Sequence, residues 1–529
     1  MFQAGYADTV CRRDMPAGYA GGQGSDRYRG FVRVLLVSTY ELGHQPLACA
    51  SPAAALLRHG HEVACLDLAV EQWDGERLDW AEAVAISVPM HTAMRLALDV
   101  VTRVRTQRRS LPLCLYGLYA GLGDDPRLDL GDVLLVSGEY EPALCRWADE
   151  LDRGDAAGRG DAAHAGAAPT GRRVAVELGR GRFSLPARHL LPPLDRYARL
   201  AYAGEERLAG YVEASHGCAH RCRHCPVPVV YDGRTRIVDV GGVVDDVAQL
   251  VSMGARHITF GDPDFLNGPR HALRVVAATA ERFPGTTFDI TTKIEHILRF
   301  APIWPELARA GCLFVVSAVE SASDEILGKL AKGHTVADVA RAVELLRRHG
   351  IEMRPSLVPF TPWTTFADLV DLVDLVVDLD LVANVDPVQY AVRLLLPPGS
   401  LLLAAKAVDS SLLGPVDPQS LSVPWRSPDP ALDELHRNIA ELVERDETAG
   451  APPGTTYLAV RAAVRDAAGR TGDPGAERAR QAARAARRDE RPRLTESWFC
   501  CAEPTAQMRA SAMLSRGCDA DVAPVLAPR

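Results

Sequence analysis

The sequence predicts an α/β protein with an amino-terminal doubly wound domain, a partial (βα)6 barrel and a mostly helical carboxyl-terminal region. Two observations predict this class. Short apolar runs typical of buried strands alternate with helix-like stretches over residues 31–152, and the alternation returns from Leu208 to about Ser400. Strands separated by helices pair in parallel, so each unit should be a parallel sheet covered on both faces.

The first unit, residues 31–152, follows a Gly-rich polar segment, 1–30, which lacks periodicity and is predicted to be a disordered tail. Helical stretches such as 51–58 and 90–105 lie between its apolar runs. The predicted strands are 32–38, 62–67, 82–88, 111–116 and 132–137. This order predicts a doubly wound sheet.

A Gly, Ala, Arg and Asp-rich segment, 153–180, is predicted to be a linker to the second unit, 181–425. In that unit, Thr335 and Asp338 form a predicted capping box, and Gly350 ends the helix that they begin. Six strands are predicted, near 211–215, 257–261, 287–292, 313–319, 352–358 and 386–393. Six strand-helix units predict a partial barrel with its active site at the carboxyl ends of the strands. The last region, 426–529, is predicted to be mostly helical.

Charge and composition argue against several function classes. The formal net charge of -9 gives no electrostatic case for nucleic acid or an anionic membrane as a partner. There is no signal-like segment and no apolar run of membrane-spanning length, so we expect a cytoplasmic protein. Its 12 cysteines should then be reduced thiols, apart from those that hold metal.

Three of these cysteines, Cys218, Cys222 and Cys225, follow the first predicted barrel strand with the spacing Cys-x3-Cys-x2-Cys. Three thiolates on one tight loop can hold three irons of a [4Fe-4S] cluster, which leaves the fourth iron open to a chelating substrate. The alternative is a structural zinc site completed by a nearby histidine: His216, His220 or His224.

The cysteine loop resembles that of the radical S-adenosylmethionine (SAM) superfamily. In that superfamily the open iron binds the amino and carboxylate groups of SAM, and an electron breaks a carbon-sulfur bond. The resemblance implies a [4Fe-4S] cluster, SAM and a reductant such as flavodoxin or ferredoxin. It also places His224, which replaces the family's usual aromatic residue, among the cofactor-binding residues.

The first unit resembles the cobalamin-binding domain of one branch of the superfamily. The usual signature Asp-x-His-x-x-Gly is missing, and His44 is out of register. Two alternatives stay open: cobalamin bound without a histidine ligand, or a domain that has become purely structural.

The resemblance also implies roles for polar residues at the strand ends. Asp262 would accept hydrogen bonds from the SAM amino group, while Lys293 and Glu295 would face its carboxylate or ribose. Glu320, in a segment similar to the family's Gly-x-Glu-Ser, would contact the ribose or amino group, and Arg393 follows the cobalamin-branch pattern. The alternatives are a turn organised by Asp262, a helix cap from Glu320 and a solvated charge on Lys293.

A second cysteine motif lies near the carboxyl terminus, where Cys500 and Cys501 are adjacent and Cys518 follows. Such thiolates suit soft ions, including trivalent arsenic, copper(I) and zinc. The alternatives are a redox pair that protects the cluster and a buried pair without function. The segment Cys-Cys-Ala-Glu-Pro resembles the signature of the CCAEP-tail radical SAM family, and the domain order is similar to that of the radical SAM enzymes of arsinothricin biosynthesis.

These resemblances imply a transferase that moves the 3-amino-3-carboxypropyl group of SAM to arsenite, a small-molecule substrate held by catalytic Cys500, Cys501 and Cys518. The alternatives are a cobalamin-dependent radical SAM methyltransferase and a non-catalytic iron-sulfur or metalloid-binding protein. A tRNA methylthiotransferase is disfavoured because the first unit has no second cluster-binding set. The Arg-rich stretch 471–493 lacks aromatic residues and favours a solvated face over RNA binding.

Overall fold

A computed structural model describes residues 30–158, 173–179, 183–486 and 491–496. In this part of the chain, the first unit contains one all-parallel sheet with the strand order β2-β1-β3-β4-β5-β6. Its strands are β1 Arg33–Ser38, β2 Glu62–Asp67, β3 Ala83–Ser87, β4 Leu113–Tyr116, β5 Leu134–Gly138 and β6 Arg173–Glu177. Its helices are α1 Leu47–Arg58, α2 Gly75–Trp80, α3 His91–Gln107 and α4 Glu141–Gly158.

Helices cover both faces of this sheet. Successive side chains of a strand point to opposite faces, and in β1 Leu35 and Val37 pack in the cluster that contains α3. Val34 and Leu36 pack in the other cluster, with α1 and α4. The predicted doubly wound sheet is therefore confirmed.

Strand β6 lies inside the segment predicted to be a linker, and α4 extends into the same segment. The linker prediction was wrong over these residues. Val174 and Val176 are 51% and 57% exposed. This edge strand therefore lacks the buried apolar run by which a strand can be recognised in a sequence.

The second unit has a mixed sheet with the order β14-β13-β12-β11-β8-β7-β15 among the described residues. Strands β8 and β11 to β14 are parallel, whereas β7 and β15 are antiparallel to their neighbours. A separate hairpin joins β9 and β10. The bounds are β7 Arg199–Tyr202, β8 Glu205–Val212, β9 Ser215–Gly217, β10 Thr235–Ile237, β11 His257–Phe260, β12 Thr287–Thr291, β13 Cys312–Glu320, β14 Glu352–Leu357 and β15 Arg493–Leu494.

Helices follow the parallel strands and complete an open strand-helix barrel. The capping box of Thr335 and Asp338 is present at the start of α11. The helices are α5 Val227–Tyr231, α6 Val240–Ser252, α7 Pro269–Arg282, α8 Ile294–Arg299, α9 Trp304–Arg309, α10 Asp324–Leu330, α11 Val336–Arg347, α12 Phe366–Asp378 and α13 Leu401–Ala404. The carboxyl-terminal region contributes α14 Pro430–Thr448, α15 Pro453–Ala467 and α16 Ala476–Ala485. The predicted fold class is confirmed.

The sixth predicted barrel strand, 386–393, differs from the structure. Pro387–Ala391 form a 3-10 helix, and a single parallel bridge between Phe360 and Arg393 continues the sheet. Proline has no N–H to donate to a neighbouring strand, so Pro387 disfavours a regular ladder at this position. Among the described residues, no helix is long and apolar enough to cross a membrane.

A buried arginine ties the two units together. The Arg188 side chain is fully buried; its Nε and Nη2 donate to the two carboxylate oxygens of Asp246 on α6 at 3.0 and 2.8 Å. Nη2 also donates to the carbonyl of Tyr211 in β8 at 2.6 Å, and Nη1 donates to the side chain of Gln45 in the first unit at 3.3 Å. Asp246 of the second unit thus neutralises the charge of Arg188, and the guanidinium group donates hydrogen bonds to both units.

We predict that Asp246→Ala lowers the free energy of unfolding by about 3–5 kcal/mol, because it leaves the Arg188 charge buried without a counter-ion. The adjacent Asp245 is the matched control, since it pairs with Arg282 at the surface. Its alanine variant should change stability by less than about 1 kcal/mol. Urea unfolding followed by circular dichroism measures both, and equal losses would contradict the role given to Arg188.

Candidate active site

The three cysteines of the Cys-x3-Cys-x2-Cys motif lie on one loop between β9 and α5, beyond the carboxyl end of β8. Cys218 and Cys222 are 8% exposed, and Cys225 is partly exposed. Gly217 enters the loop at φ +74°, where a Cβ would lie 2.3 Å from the carbonyl oxygen of Arg234. Only glycine fits this position, so the hairpin of β9 and β10 fixes the start of the loop.

Burial raises the pKa of the Cys218 thiol to about 11. It also raises the pKa of Cys222, although the charges of Lys332 and Lys293 oppose that shift. Thiols with raised pKa values are protonated at neutral pH unless a bound cation stabilises the thiolate. Thiolates on this loop therefore need compensating positive charge, which Lys332 and Lys293 supply near Cys222.

Glu320 joins the carboxyl end of β13 to the cysteine loop. Its Oε1 accepts a hydrogen bond from Lys332 Nζ at 3.0 Å and lies 3.1 Å from His224 Nε2. Burial alone would raise the pKa of Glu320, but the charge of Lys332 and the hydrogen bond with His224 outweigh burial and lower the pKa to about 2. Glu320 has a left-handed backbone with φ 65°. This conformation is strained in a non-glycine residue, and functional sites are one place where such strain is retained.

These contacts bring two predicted cofactor residues together, since His224 and Glu320 are direct neighbours. They also explain Lys332, a residue that the sequence analysis missed. In the sequence, Lys332 looks like any surface lysine. Only the folded protein shows that it is buried beside Glu320. Glu320 is not a cap of the next helix, α10, whose N-cap residue is Ser323.

Asp262 lies where predicted, after β11, but both of its carboxylate oxygens are occupied by the chain itself. One accepts from the backbone N–H of Ala214 at 2.9 Å, and the other accepts from Ser215 Oγ at 2.5 Å. Burial raises the pKa of Asp262 to about 7. Asp262 therefore positions the segment between β8 and the cysteine loop, while its contact with SAM stays a prediction.

Lys293 and Glu295 lie at the end of β12 and face the same loop. Lys293 Nζ is 3.1 Å from His220 Nδ1 and 3.3 Å from Glu295 Oε2. The Lys293 side chain is only 11% exposed, which rules out the interpretation as a solvated charge. Gly333, at φ +77°, packs directly against Glu295: a Cβ at this position would lie 2.9 Å from Glu295 Oε2.

His334 is a further polar residue in this region. Its ring is 7% exposed, and neither nitrogen has a hydrogen-bond partner among the described residues. Burial, reinforced by the charge of Lys332, lowers the pKa of His334 to about 4, so the ring is neutral at pH 7.

Arg393 does not join this group through the contacts that the structure shows. Its guanidinium donates to Asp433 at 2.8 Å and to the Trp425 carbonyl at 2.6 Å, and it stacks 3.6 Å above the Trp425 ring. Arg393 thus anchors the carboxyl-terminal helix α14. The predicted cofactor role of Arg393 remains without structural support.

The predicted catalytic cysteines Cys500, Cys501 and Cys518 lie outside the described residues. The chain just before them is anchored: β15 pairs with β7, and Glu496 accepts a hydrogen bond from Tyr40 at 2.6 Å. Tyr40 follows β1 in the first unit. The described chain therefore ends beside the loop that follows β1.

The first unit meets the cysteine loop at the carboxyl edge of its sheet. Leu118, after β4, packs in the apolar cluster that includes Cys218, Cys225 and Tyr231. Glu139, after β5, accepts a hydrogen bond from Tyr231 at 3.0 Å. The edge at which a doubly wound sheet binds ligands therefore faces the candidate cluster site.

Polar groups at this edge lack partners. Ser87 Oγ at the end of β3 and Glu41 Oε1 after β1 are buried without a hydrogen bond among the described residues. His44 is buried, its ring lies 4.7 Å from the Tyr211 ring at an interplanar angle of 32°, and burial lowers its pKa to about 4. These groups fit a polar ligand at the edge, but His44 is committed to the interface and is not an exposed metal ligand.

Comparison with known proteins agrees with this geometry. Residues 212–376 match the family model of the radical SAM superfamily. They form a radical SAM domain. Its cofactors are a [4Fe-4S] cluster and SAM, as predicted from the cysteine loop.

Two curated proteins illustrate the similarity. The tRNA-2-methylthio-N(6)-dimethylallyladenosine synthase of Chlorobium limicola is 28% identical over 192 residues, which cover 35% of this chain and 42% of that protein. The hopanoid C-3 methylase of Methylococcus capsulatus is 23% identical over 328 residues, which cover 60% of this chain and 62% of that protein. The chain thus spans less than two thirds of either relative.

A solved structure shows the same overall fold. The cobalamin-dependent SAM radical enzyme OxsB, determined with aqua-cobalamin bound, superposes with a TM-score of 0.60 at 14% sequence identity. The match covers 78% of this chain and 66% of OxsB. Both the amino-terminal sheet and the barrel therefore belong to a known architecture.

We predict that Glu320→Gln lowers the free energy of unfolding by about 3–5 kcal/mol, because it leaves Lys332 buried without a counter-ion. Glu325 is the matched control: it forms a surface pair with Lys329 on α10, and its side chain is 75% exposed. Glu325→Gln should change stability by less than about 1 kcal/mol. Thermal unfolding of both variants under anaerobic conditions tests this, and an unchanged midpoint for Glu320→Gln would contradict the buried-pair argument.

Proposed function

We propose that the protein is a radical SAM transferase that cleaves SAM reductively and transfers a methyl group to a small-molecule substrate, in the manner of a cobalamin-dependent methyltransferase. The main support is the direct packing of the amino-terminal sheet edge on the cysteine loop of a radical SAM domain. The similarity to the hopanoid C-3 methylase extends well beyond the length of that domain.

The cysteine loop would hold the cluster through Cys218, Cys222 and Cys225. When bound there, a [4Fe-4S] cluster would supply the electron that breaks a carbon-sulfur bond of SAM. Lys332 and Lys293 lie near the thiols and carry positive charge, which stabilises the anionic ligand set. Glu320 fixes Lys332 in this position and contacts His224, the residue before Cys225.

His334 would contact SAM or the substrate, because its neutral ring is buried beside Lys332 and forms no regular hydrogen bond among the described residues. Each nitrogen that gains a hydrogen bond on ligand binding removes the cost of an unpaired buried polar group. Burial of the loop also excludes water from the reacting atoms, which favours electron transfer to SAM over side reactions.

A corrinoid would be held at the carboxyl edge of the first sheet, where Ser87 and Glu41 offer unpaired oxygens. When bound, it would supply a methyl carrier between SAM and the substrate. His44 lies against the Tyr211 ring in the interface, so we propose that the corrinoid would be held without a ligand from His44.

A tRNA methylthiotransferase is less well supported. The described cysteines of the first unit, Cys49, Cys65, Cys114 and Cys145, pack in its hydrophobic core. Burial raises the pKa of each of them. They are apolar core residues and do not form a second cluster-binding set.

Transfer of the 3-amino-3-carboxypropyl group to arsenite stays a second candidate. The observation that favours it is the anchoring of Glu496 to Tyr40, which holds the chain four residues before Cys500 beside the first sheet. Methyl transfer converts one SAM to S-adenosylhomocysteine, and reductive cleavage of a second SAM gives 5'-deoxyadenosine and methionine. Transfer of the 3-amino-3-carboxypropyl group instead gives 5'-methylthioadenosine, so the products separate the two candidates.

We predict that Cys222→Ala abolishes the iron-sulfur absorption and all cleavage of SAM, because a loop with two thiolates cannot hold the cluster. Cys312→Ala is the matched control, since Cys312 is a buried barrel cysteine whose Sγ contacts the Phe314 carbonyl. It should retain iron and activity. Iron analysis and mass spectrometry of SAM products measure this, and a wild-type protein that binds the cluster but never cleaves SAM would instead support a non-catalytic role.

We predict that the anaerobically reconstituted protein retains about one corrinoid per chain after incubation with hydroxocobalamin and gel filtration. With SAM and a reductant it should then form S-adenosylhomocysteine. The control omits the corrinoid and adds arsenite. Formation of 5'-methylthioadenosine under the control conditions, with no corrinoid retained in the first experiment, would contradict methyl transfer and favour the arsenite reaction.

A further inference from the structure

Two imidazoles and one carboxylate converge at the cysteine loop. His220 lies between Cys218 and Cys222, Asp264 follows β11, and His296 lies on α8. One ligand atom from each of the three residues lies within 4.8 Å of the other two. His220 Nε2 is 3.1 Å from His296 Nε2 and 3.5 Å from Asp264 Oδ2. Three separate elements therefore supply nitrogen and oxygen donors to one point.

The group is buried and incompletely satisfied. Asp264 is fully buried and His296 is 5% exposed. Asp264 Oδ1 accepts from the N–H of Leu266 and from Thr292 Oγ1, which fixes the carboxylate. Its Oδ2 and His296 Nδ1 lie 2.9 Å apart, but the geometry gives neither a hydrogen bond among the described residues. An unpaired carboxylate oxygen in the interior is costly, and a cation would satisfy it.

A path from solvent reaches the two imidazoles. His220 and His296 both line a surface cavity of about 640 Å³, together with Ala219, Asn267 and Phe300. The cavity admits a hydrated ion and leaves room for a water ligand. Two imidazoles and a carboxylate are donors that first-row divalent ions accept, and a fourth position filled by water is usual for such open sites.

We propose that His220, Asp264 and His296 bind a divalent transition-metal ion such as Zn²⁺, at a site separate from the [4Fe-4S] cluster. The ion would join the cysteine loop to β11 and α8 through three bonds. Ligation through His220 Nε2 leaves a proton on Nδ1, so Lys293 would then pair with Glu295 alone, 3.3 Å away. The site would stiffen the cysteine loop.

Zinc analysis of the cluster-containing protein tests the proposal. After equilibration with Zn²⁺ and desalting, the wild type should retain roughly one zinc ion per chain. X-ray absorption at the zinc edge should show nitrogen and oxygen ligands at about 2.0–2.2 Å, and no sulfur at about 2.3 Å. A sulfur shell would place zinc on the cysteines and overturn the proposal, as would a failure of the wild type to retain zinc.

Asp264→Asn and His296→Phe should each lose at least about tenfold in zinc affinity, since each removes a ligand. His271→Gln is the matched control, because His271 lines the same cavity but bonds to the carbonyl of Ala214. It should bind zinc as the wild type does. Unchanged zinc in both ligand variants would overturn the proposal. The absorption spectrum of the wild type decides the ligand type even where a variant does not fold, and no step of the test depends on SAM cleavage.

Discussion

The buried ion pair between Glu320 and Lys332 is the interaction on which the candidate site depends. Lys332 places a positive charge near Cys222, and this charge is stable in the interior because Glu320 is ionised beside it. Glu320 also contacts His224, so the same carboxylate fixes the loop from which the third cysteine projects. One acidic side chain at the end of β13 therefore sets both the electrostatics and the position of the loop.

Charge balance explains why basic residues surround the three thiols. Cluster binding converts buried neutral thiols to thiolates, and this would be unfavourable in an apolar pocket. Lys293 and Lys332 supply compensating charge, and the carboxylates of Glu295 and Glu320 hold the two ammonium groups in place. The charge and hydrogen bonding around a cluster set its reduction potential. These lysines are thus positioned to influence how readily the cluster accepts an electron.

The sequence was sufficient for features that depend on local pattern. Parallel strands of the first unit, the capping box at Thr335 and the cysteine loop all follow from residue spacing. It was insufficient where a role depends on partners distant in the chain. Asp262 is occupied by Ala214 and Ser215, and Arg393 is occupied by Asp433 and Trp425. A motif position does not reveal such contacts, because they form between segments that meet only in the folded protein.

The interface between the two units bears on whether the first unit binds a ligand. His216, which directly precedes Gly217, lies between Glu139 of the first unit and Glu213 of the barrel, at 3.0 and 3.1 Å. Arg188 bonds to both units as well. A purely structural first unit would need such contacts only for stability, and would gain nothing from burying Ser87 and Glu41 oxygens without partners. Unpaired polar atoms at the edge that faces the cysteine loop are costly to maintain. Their presence beside an otherwise well-bonded interface favours a first unit that binds a ligand over one that serves only as a scaffold.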